Sequence, residues 1–202
     1  MTWRDVPGWF DWQDVYDEVA LTTPPYSTVV EVGVGFGRSI LYLAQQIKET
    51  GKDIRIVAVD PWPDHWWFRD ADYVPPPGSV EEAMGRLIRL HGGVYETFLC
   101  HLHHSGLSDL IDVIRVPSPE AAAWVGQVGQ VGLHRPPHFV FIDGNHSQEA
   151  VSRDIEAWWG TGTEWIAGHD YDRKGVSSAV NERFGQEVEI RRGTCWITRR
   201  KR

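Results

Sequence analysis

The feature that most constrains this fold is a glycine-rich turn between an apolar run and a helical pattern, Val29-Val30-Glu31-Val32-Gly33-Val34-Gly35-Phe36-Gly37-Arg38-Ser39. Three glycines stand at alternate positions after an acidic, strand-like run. Glycine adopts a positive φ and leaves no Cβ between the backbone and a ligand. The stretch therefore predicts a strand, a tight turn and a helix, with the turn lying beneath a nucleotide-like ligand.

Strand and helix patterns alternate along the chain. Strands are predicted at 28–32, 54–59, 112–116, 139–143 and 164–168, and helices at 11–20 (with Asp11 as its cap), 38–50, 79–91, 93–105, 120–125, 147–159 and 175–184. A terminal antiparallel hairpin is predicted at 188–191 and 194–198. This order predicts a doubly wound, mostly parallel, Rossmann-like α/β sheet. Ligands of such sheets bind at the carboxyl ends of the strands.

Length and charge narrow the class of protein. A chain of 202 residues suits one domain over 1–202, and a net charge of −8 without a basic stripe argues against nucleic-acid binding. The basic segment 199–202 is expected to be a solvated tail. No apolar run is long enough to span a membrane, and no signal-peptide layout is present. A reduced, cytoplasmic protein is therefore expected, and the oligomeric state, including a homo-oligomer, stays open.

Two segments outside the strand pattern are expected to surround a small-molecule acceptor. Residues 1–26 are predicted to form an N-terminal helical cap, and 61–110 an acceptor-side lid insertion. Within the latter, 61–79 is rich in proline, tryptophan and aspartate and predicts a long binding loop. Tryptophan in such sequence suits either the core or the rim of a pocket. The histidines at 101, 103 and 104 are expected at a solvated helix end.

Acidic residues at the first two strand tips suggest the ligand. Asp60 ends the second predicted strand, where a carboxylate can accept hydrogen bonds from ribose hydroxyls. With Glu31 and the glycines it resembles the class I S-adenosylmethionine-dependent methyltransferases. Dinucleotide-binding folds share the second acid but usually show Gly-x-Gly-x-x-Gly. The resemblance implies that the methyl donor contacts Glu31, Gly33, Gly35, Gly37, Ser39, Asp60, Ser118 and Asp143.

Polar residues at the next two strand tips point to chemistry. Asp143 and His146 follow the fourth strand, and His169 and Asp170 follow the fifth. Asp143, His169 and Asp170 offer a divalent ion two carboxylates and an imidazole, and carboxylates favour Mg²⁺. His146 is placed to accept a proton as a general base. Structural roles are the alternatives: a helix cap for His146, stacking on a tryptophan for His169, and amide binding for Asp170.

These segments resemble one methyltransferase group, which includes metal-dependent sugar O-methyltransferases of natural products. The resemblance extends from about 29 to 200, through Phe141-Ile142-Asp143-Gly144-Asn145-His146 and Gly168-His169-Asp170-Tyr171. It implies Asp143 and Asp170 as metal ligands and His146 as base, with Asp143 also in the catalytic set. His169 stands where the metal-dependent sugar enzymes have a second acid in their metal site. Arg115-Val116-Pro117-Ser118 replaces a Gly-Asp pair, so Ser118 or backbone groups are expected to contact adenine.

The expected function is O-methylation of a small-molecule hydroxyl, on a sugar or a natural product. S-adenosylmethionine and Mg²⁺ are the implied cofactors, and no nucleic-acid or membrane partner is expected. Three rivals stay open: a NAD-dependent oxidoreductase on the same fold, a metal-dependent hydrolase or hydroxylase, and a non-catalytic binding module. The cysteines at 100 and 195 match no redox or metal spacing, and no nucleophile elbow or phosphate-binding lysine motif is present.

Overall fold

The helices and strands follow the predicted alternation. A computed structural model describes residues 1–63, 74–126 and 136–201. The helices are α1 (Gln13–Thr22), α2 (Arg38–Thr50), α3 (Val80–His91), α4 (Val94–Ser105), α5 (Ser118–Gly126), α6 (Gln148–Gly160) and α7 (Lys174–Phe184). The strands are β1 (Ser27–Val32), β2 (Ile54–Val59), β3 (Ile111–Ile114), β4 (Phe139–Ile142), β5 (Trp165–Gly168), β6 (Glu189–Arg191) and β7 (Cys195–Arg199).

The strands of the described part form one mixed sheet in the order β3-β2-β1-β4-β5-β7-β6. Strands β1 to β5 are parallel, while β7 pairs antiparallel with both β5 and β6. The predicted Rossmann-like α/β class with a C-terminal hairpin is confirmed. Strand order reverses between β1 and β4, so a crevice opens where their carboxyl ends meet.

Both faces of the sheet are covered by helices. Along β1, Val29 packs with residues of α1, α2 and α4, whereas Val30 packs with residues of α5, α6 and α7. Successive strand residues point to opposite faces, so every position of a doubly covered strand is apolar or specially partnered. Ser27 and Thr28 begin β1, and in the apolar run that follows, from Val29 to Val32, the polar residue is Glu31, a buried carboxylate.

Two local predictions were wrong. Asp11 does not cap the first helix, because Trp12 holds the N-cap position and the Asp11 carboxylate lies 3.0 Å from His169 Nε2. His101 is not solvated: it is 2% exposed, and its Nδ1 lies 2.9 Å from the carbonyl oxygen of Phe36. It follows the buried residues Thr97 and Phe98 by four and three positions, which puts it on the buried face of α4.

Part of the predicted binding loop lies outside the described residues. Residues 61–63 and 74–79 belong to no helix or strand, and residues 64–73 of the 61–79 loop are not described. Among the described helices, none is long and apolar enough to cross a bilayer.

Candidate functional site

The glycine loop lies directly against the tip of β4. Gly33, Gly35 and Gly37 all have positive φ, at 85°, 54° and 92°. A Cβ on Gly33 would overlap the carbonyl oxygen of Asp143, and one on Gly37 would approach the Phe98 ring to 2.9 Å. Conformation therefore favours glycine at all three positions, and at 33 and 37 the lack of space for a Cβ also requires it. The loop and the residues after β4 form one edge of the crevice.

Glu31 is held beneath this loop by two hydroxyl groups. It is 1% exposed, and its carboxylate accepts hydrogen bonds from Tyr16 at 2.7 Å and from Ser39 at 2.6 Å. Burial raises the pKa of Glu31 to about 8, against the opposing effect of the two hydroxyls. Glu31 and Ser39, both predicted to bind the donor, are thus brought together. Tyr16, on α1, was not predicted.

Asp60 joins the glycine loop to the segment after β2. Its carboxylate accepts hydrogen bonds from the backbone N–H of Gly35 at 3.0 Å and of Trp62 at 2.6 Å. Burial raises the pKa of Asp60, although the amide donors oppose this. The Trp62 indole donates to the Gly35 carbonyl at 2.8 Å and stacks on Phe98, with ring centroids 4.8 Å apart. Trp62 is therefore an unpredicted support of the loop, and its place two residues after the strand-tip acid was a usable signal.

Ser118 lies at the start of α5, and its hydroxyl group is already partnered. It accepts a hydrogen bond from the Trp158 indole at 2.9 Å. It also bonds Asp154, whose pKa is raised to about 6 by burial despite that bond. The structure thus places Ser118 in a buried contact between α5 and α6. Its contact with adenine stays a prediction.

The predicted polar residues at the tips of β4 and β5 come together. His146 Nε2 lies 2.7 Å from Asp170 Oδ2. His169 Nδ1 lies 3.8 Å from Asp143 Oδ1 and 3.6 Å from Asp170 Oδ2. Asp170 has a positive φ of 57°, a backbone conformation that is uncommon outside glycine and that aspartate adopts more readily than most residues. All four side chains therefore form one cluster at the carboxyl edge of the sheet.

Two residues that the sequence did not single out for the site extend this cluster. Arg173 donates to Asp170 Oδ1 at 2.9 Å, and its Nη1 lies 3.4 Å from His146 Nδ1. Asp11 contacts the outer nitrogen of His169. The His169 ring also lies 4.5 Å from the Trp12 ring, so the predicted tryptophan contact exists beside the polar ones.

The ionisable groups of the cluster shift one another's pKa values. Burial alone would raise the pKa of Asp170, but hydrogen bonds with His146 and His169 outweigh it and lower that pKa. Burial raises the pKa of Asp143 to about 6, while the neighbouring histidines oppose this. The pKa of His169 is raised, because its bond to Asp170 and the nearby carboxylates outweigh the effect of burial. Asp170 is therefore the fixed negative charge of the cluster.

Asp143, His169 and Asp170 can each aim one ligand atom at a common point. These three atoms lie within 4.8 Å of one another. A second group with the same property, Asp11, His169 and Cys195, shares the histidine. Cys195 is buried, and burial raises its thiol pKa to about 12, which disfavours the thiolate that metals bind. The first group is the better candidate for an ion.

Comparisons with known proteins agree with this geometry. A family described as a methyltransferase domain matches residues 30–171. The O-methyltransferase NovP covers 94% of this chain and 78% of its own, with 13% identity and a TM-score of 0.61. The calicheamicin methyltransferase CalS11 covers 93% and 76%, with 18% identity and a TM-score of 0.57.

A third similar structure is the MycE methyltransferase of mycinamycin biosynthesis, in complex with Mg and SAH. It covers 95% of this chain and 50% of its own, with 12% identity and a TM-score of 0.53. At such identities the likeness concerns the fold. Neither the family nor these structures support an oxidoreductase or a hydrolase. The matched family spans most of the chain, and its residues include the glycine loop, Asp60 and both strand tips. The chain belongs to the methyltransferase-domain family and is a class I S-adenosylmethionine-dependent methyltransferase.

Proposed function

We propose that this enzyme transfers the methyl group of S-adenosylmethionine to a hydroxyl oxygen of a small molecule, a sugar or another natural product. The single observation that carries the choice of oxygen is the pair formed by His146 and Asp170 at the strand tips. A hydroxyl is a weak nucleophile until a base takes its proton. One of the similar structures, NovP, is an O-methyltransferase, which supports the same choice.

The hydrogen bonds of His146 define which nitrogen acts. Its Nε2 faces the Asp170 carboxylate at 2.7 Å, so this nitrogen carries the proton and donates it. The lone pair of Nδ1 then faces outward, where Arg173 lies 3.4 Å away. An acceptor hydroxyl takes the place of Arg173 and gives its proton to Nδ1. Asp170 orients the imidazole and stabilises the imidazolium that forms, as carboxylates do for catalytic histidines.

The glycine loop and Glu31 fit the methionine part of S-adenosylmethionine, which carries an ammonium group. When bound, S-adenosylmethionine supplies the electrophilic methyl group. The glycine loop leaves room for close backbone approach, and Glu31 supplies a buried carboxylate as counter-charge for the ammonium group. Asp60 is assigned to the ribose hydroxyls, and Ser118 to the adenine side. Much of the acceleration of such an in-line displacement comes from alignment, which these residues provide.

A divalent metal ion fits beside the base. Asp143, His169 and Asp170 would hold it, because their ligand atoms converge and two of the three are carboxylates. Asp11 on the outer nitrogen of His169 is the carboxylate–histidine arrangement common behind metal-bound imidazoles. The mixed donor set suits Mn²⁺ or Zn²⁺ as well as the Mg²⁺ named for MycE. Such an ion would lower the pKa of an acceptor hydroxyl.

Replacement of the base separates turnover from donor binding. In His146→Ala, methyl transfer to an acceptor found by screening with radiolabelled S-adenosylmethionine should fall by roughly 100-fold to 10,000-fold. Donor affinity, measured by calorimetry, should stay within about twofold because His146 is assigned no donor contact. His104→Ala is the matched control, since His104 lies on α4 and, within the described part of the chain, its hydrogen bonds are to Cys100 of the same helix.

Turnover that survives in His146→Ala would contradict the assigned base. Chelator treatment of the wild type, followed by addition of Mg²⁺, Mn²⁺ or Zn²⁺ in turn, tests the metal separately. If the chelator leaves activity unchanged, the acceptor hydroxyl is activated by the His146–Asp170 pair without a metal ion. A protein that binds neither S-adenosylmethionine nor its demethylated product would refute the donor assignment itself.

A further inference from the structure

A cleft of about 390 Å³ lies next to Arg38, the residue that follows the glycine loop in the chain, and its lining includes none of the strand-tip cluster residues. Its walls come from the N-terminal segment, from the first residue of α2 and from the middle of α3. The lining residues are Arg4, Asp5, Val6, Pro7, Arg38, Ala83, Arg86 and Leu87. All except Arg38 belong to the two segments predicted to surround the acceptor, 1–26 and 61–110. The volume is within the range of small-molecule sites.

The cleft concentrates positive charge in an acidic protein. Three of its lining residues are arginines and one is an aspartate, while the whole chain carries a net charge of −8. The Asp5 carboxylate is already engaged, because Thr2 donates to it through its backbone N–H at 2.7 Å and through its hydroxyl at 3.1 Å. The surplus of guanidinium groups creates a local potential that attracts anions.

The guanidinium groups in this cleft have donors to spare. Arg38 donates through Nη1 to the Val6 carbonyl at 2.7 Å, whereas its Nε is buried without a hydrogen-bond partner in the described structure. Arg4 stacks on Trp3, 4.5 Å from the ring centroid, and no ion pair to it is seen within the described residues. Arg86 has one ion pair, to Glu82 at 3.5 Å. Of these groups the Arg38 Nε is buried, and an unpaired buried donor is uncommon in a folded protein. Arg4 and Arg86 are exposed, so their guanidinium groups are open to an anion.

We propose that the cleft binds an anionic group of the methyl acceptor, and hence that the acceptor carries a carboxylate or a phosphate. Guanidinium groups recognise both through paired N–H donors. The N-terminal segment runs from this cleft, at Arg4 and Val6, to the strand-tip cluster, at Asp11. One segment therefore contacts both the anionic end of the acceptor and the site of chemistry. This inference rests on the proposed function for its link to methyl transfer.

Binding of inorganic phosphate and of acetate to the full chain tests the proposal without any turnover. The side-chain Nε–H resonances of the arginines, assigned with Arg38→Lys, should shift on titration, and backbone amides of 4–7 should move with them. In Arg4→Gln and in Arg86→Gln, the affinity should fall roughly threefold to tenfold. Arg153→Gln is the matched control, because Arg153 is also an exposed α-helical arginine paired with a glutamate four residues earlier.

Two results would overturn anion binding in the cleft. One is an Arg38 resonance that does not move with either anion, and the other is an affinity equal in wild type, Arg4→Gln and Arg86→Gln. The titration is then repeated with hydroxylated compounds in place of phosphate and acetate. These compounds form matched sets that differ only in whether they carry a carboxylate, a phosphate or neither. The compounds that carry a carboxylate or a phosphate should displace inorganic phosphate from the cleft. If neither the carboxylates nor the phosphates do so, the cleft does not bind the acceptor. Calorimetry with S-adenosylmethionine on the same samples reports failure of the donor assignment independently.

Discussion

Replacement of Glu31 by glutamine would separate the electrostatic cost of this buried acid from its role in donor binding. Glutamine keeps the shape of the side chain and can still accept from Tyr16 or Ser39. It does not titrate. The wild-type carboxyl, with its pKa raised to about 8 by burial, is mostly protonated at neutral pH before the donor binds. The two proteins should therefore respond differently to pH.

The size of this effect follows from the pKa difference. The pKa of Glu31 is about 8 in the folded protein and 4.5 for an ordinary glutamate. The folded state thus binds more protons between these values, so the free energy of unfolding decreases as pH rises. The slope approaches about 1.4 kcal/mol per pH unit. From pH 5.5 to 7.5 the wild type should lose about 2–3 kcal/mol relative to Glu31→Gln, a large share of a typical domain stability of about 5–15 kcal/mol.

Urea denaturation of both proteins at half-unit steps from pH 5 to 9 measures this difference. The other acids whose pKa burial raises, Asp60, Asp143 and Asp154, remain in both proteins, so their contributions largely cancel. The wild-type free energy of unfolding minus that of Glu31→Gln should fall with pH and level off above about pH 8. A difference that stays constant over this range would refute the burial of an uncharged Glu31. Donor affinity should be lost in Glu31→Gln at every pH.

Three further perturbations test the contacts around the crevice. Tyr16→Phe should lower the free energy of unfolding by about 1–3 kcal/mol and weaken donor binding, because a buried hydrogen bond to Glu31 is lost; urea denaturation and calorimetry measure both. Gly175→Ala should reduce kcat far more than donor affinity, because its Cβ would overlap the His146 carbonyl; equal losses in both would contradict this. Asp170→Asn should lower kcat at least tenfold with intact donor affinity, since it removes the negative charge that stabilises the His146 imidazolium; unchanged kcat would argue against the pair.

The sheet was predictable because its signals are local. Apolar runs of strand length, helical periodicity and the glycines at 33, 35 and 37 each depend on neighbours in the chain. Each of the α-helices and strands given above lies within two residues of its predicted bounds. The strand-tip cluster could be predicted for a related reason. Parallel strands end at one edge, so residues that follow the strands, such as Asp143 and Asp170, must be near one another.

The missed contacts join residues that are distant in sequence. Asp11 reaches His169 across the whole fold, and the sequence offered only a capping role for it. Tyr16 reaches Glu31 from α1, a contact set by helix–sheet packing. His101 is a different case, since its helical spacing from Phe98 was visible and indicated a buried face. The cleft between the N-terminal segment and α3 required tertiary structure to be seen.

The hydrogen bond from Tyr16 to Glu31 has a consequence for engineering this enzyme. Exchange of segment 1–26 with a relative would be the natural way to transplant acceptor preference. Tyr16, however, is the partner of Glu31, the acid that we propose as the counter-charge of the donor, so we expect such a chimera to alter the binding of both substrates at once. A crossover placed after Pro7 would exchange position 4, which lines the cleft, and would leave Tyr16 and its contact with Glu31 native. The boundary between the two specificities thus runs through the N-terminal segment itself.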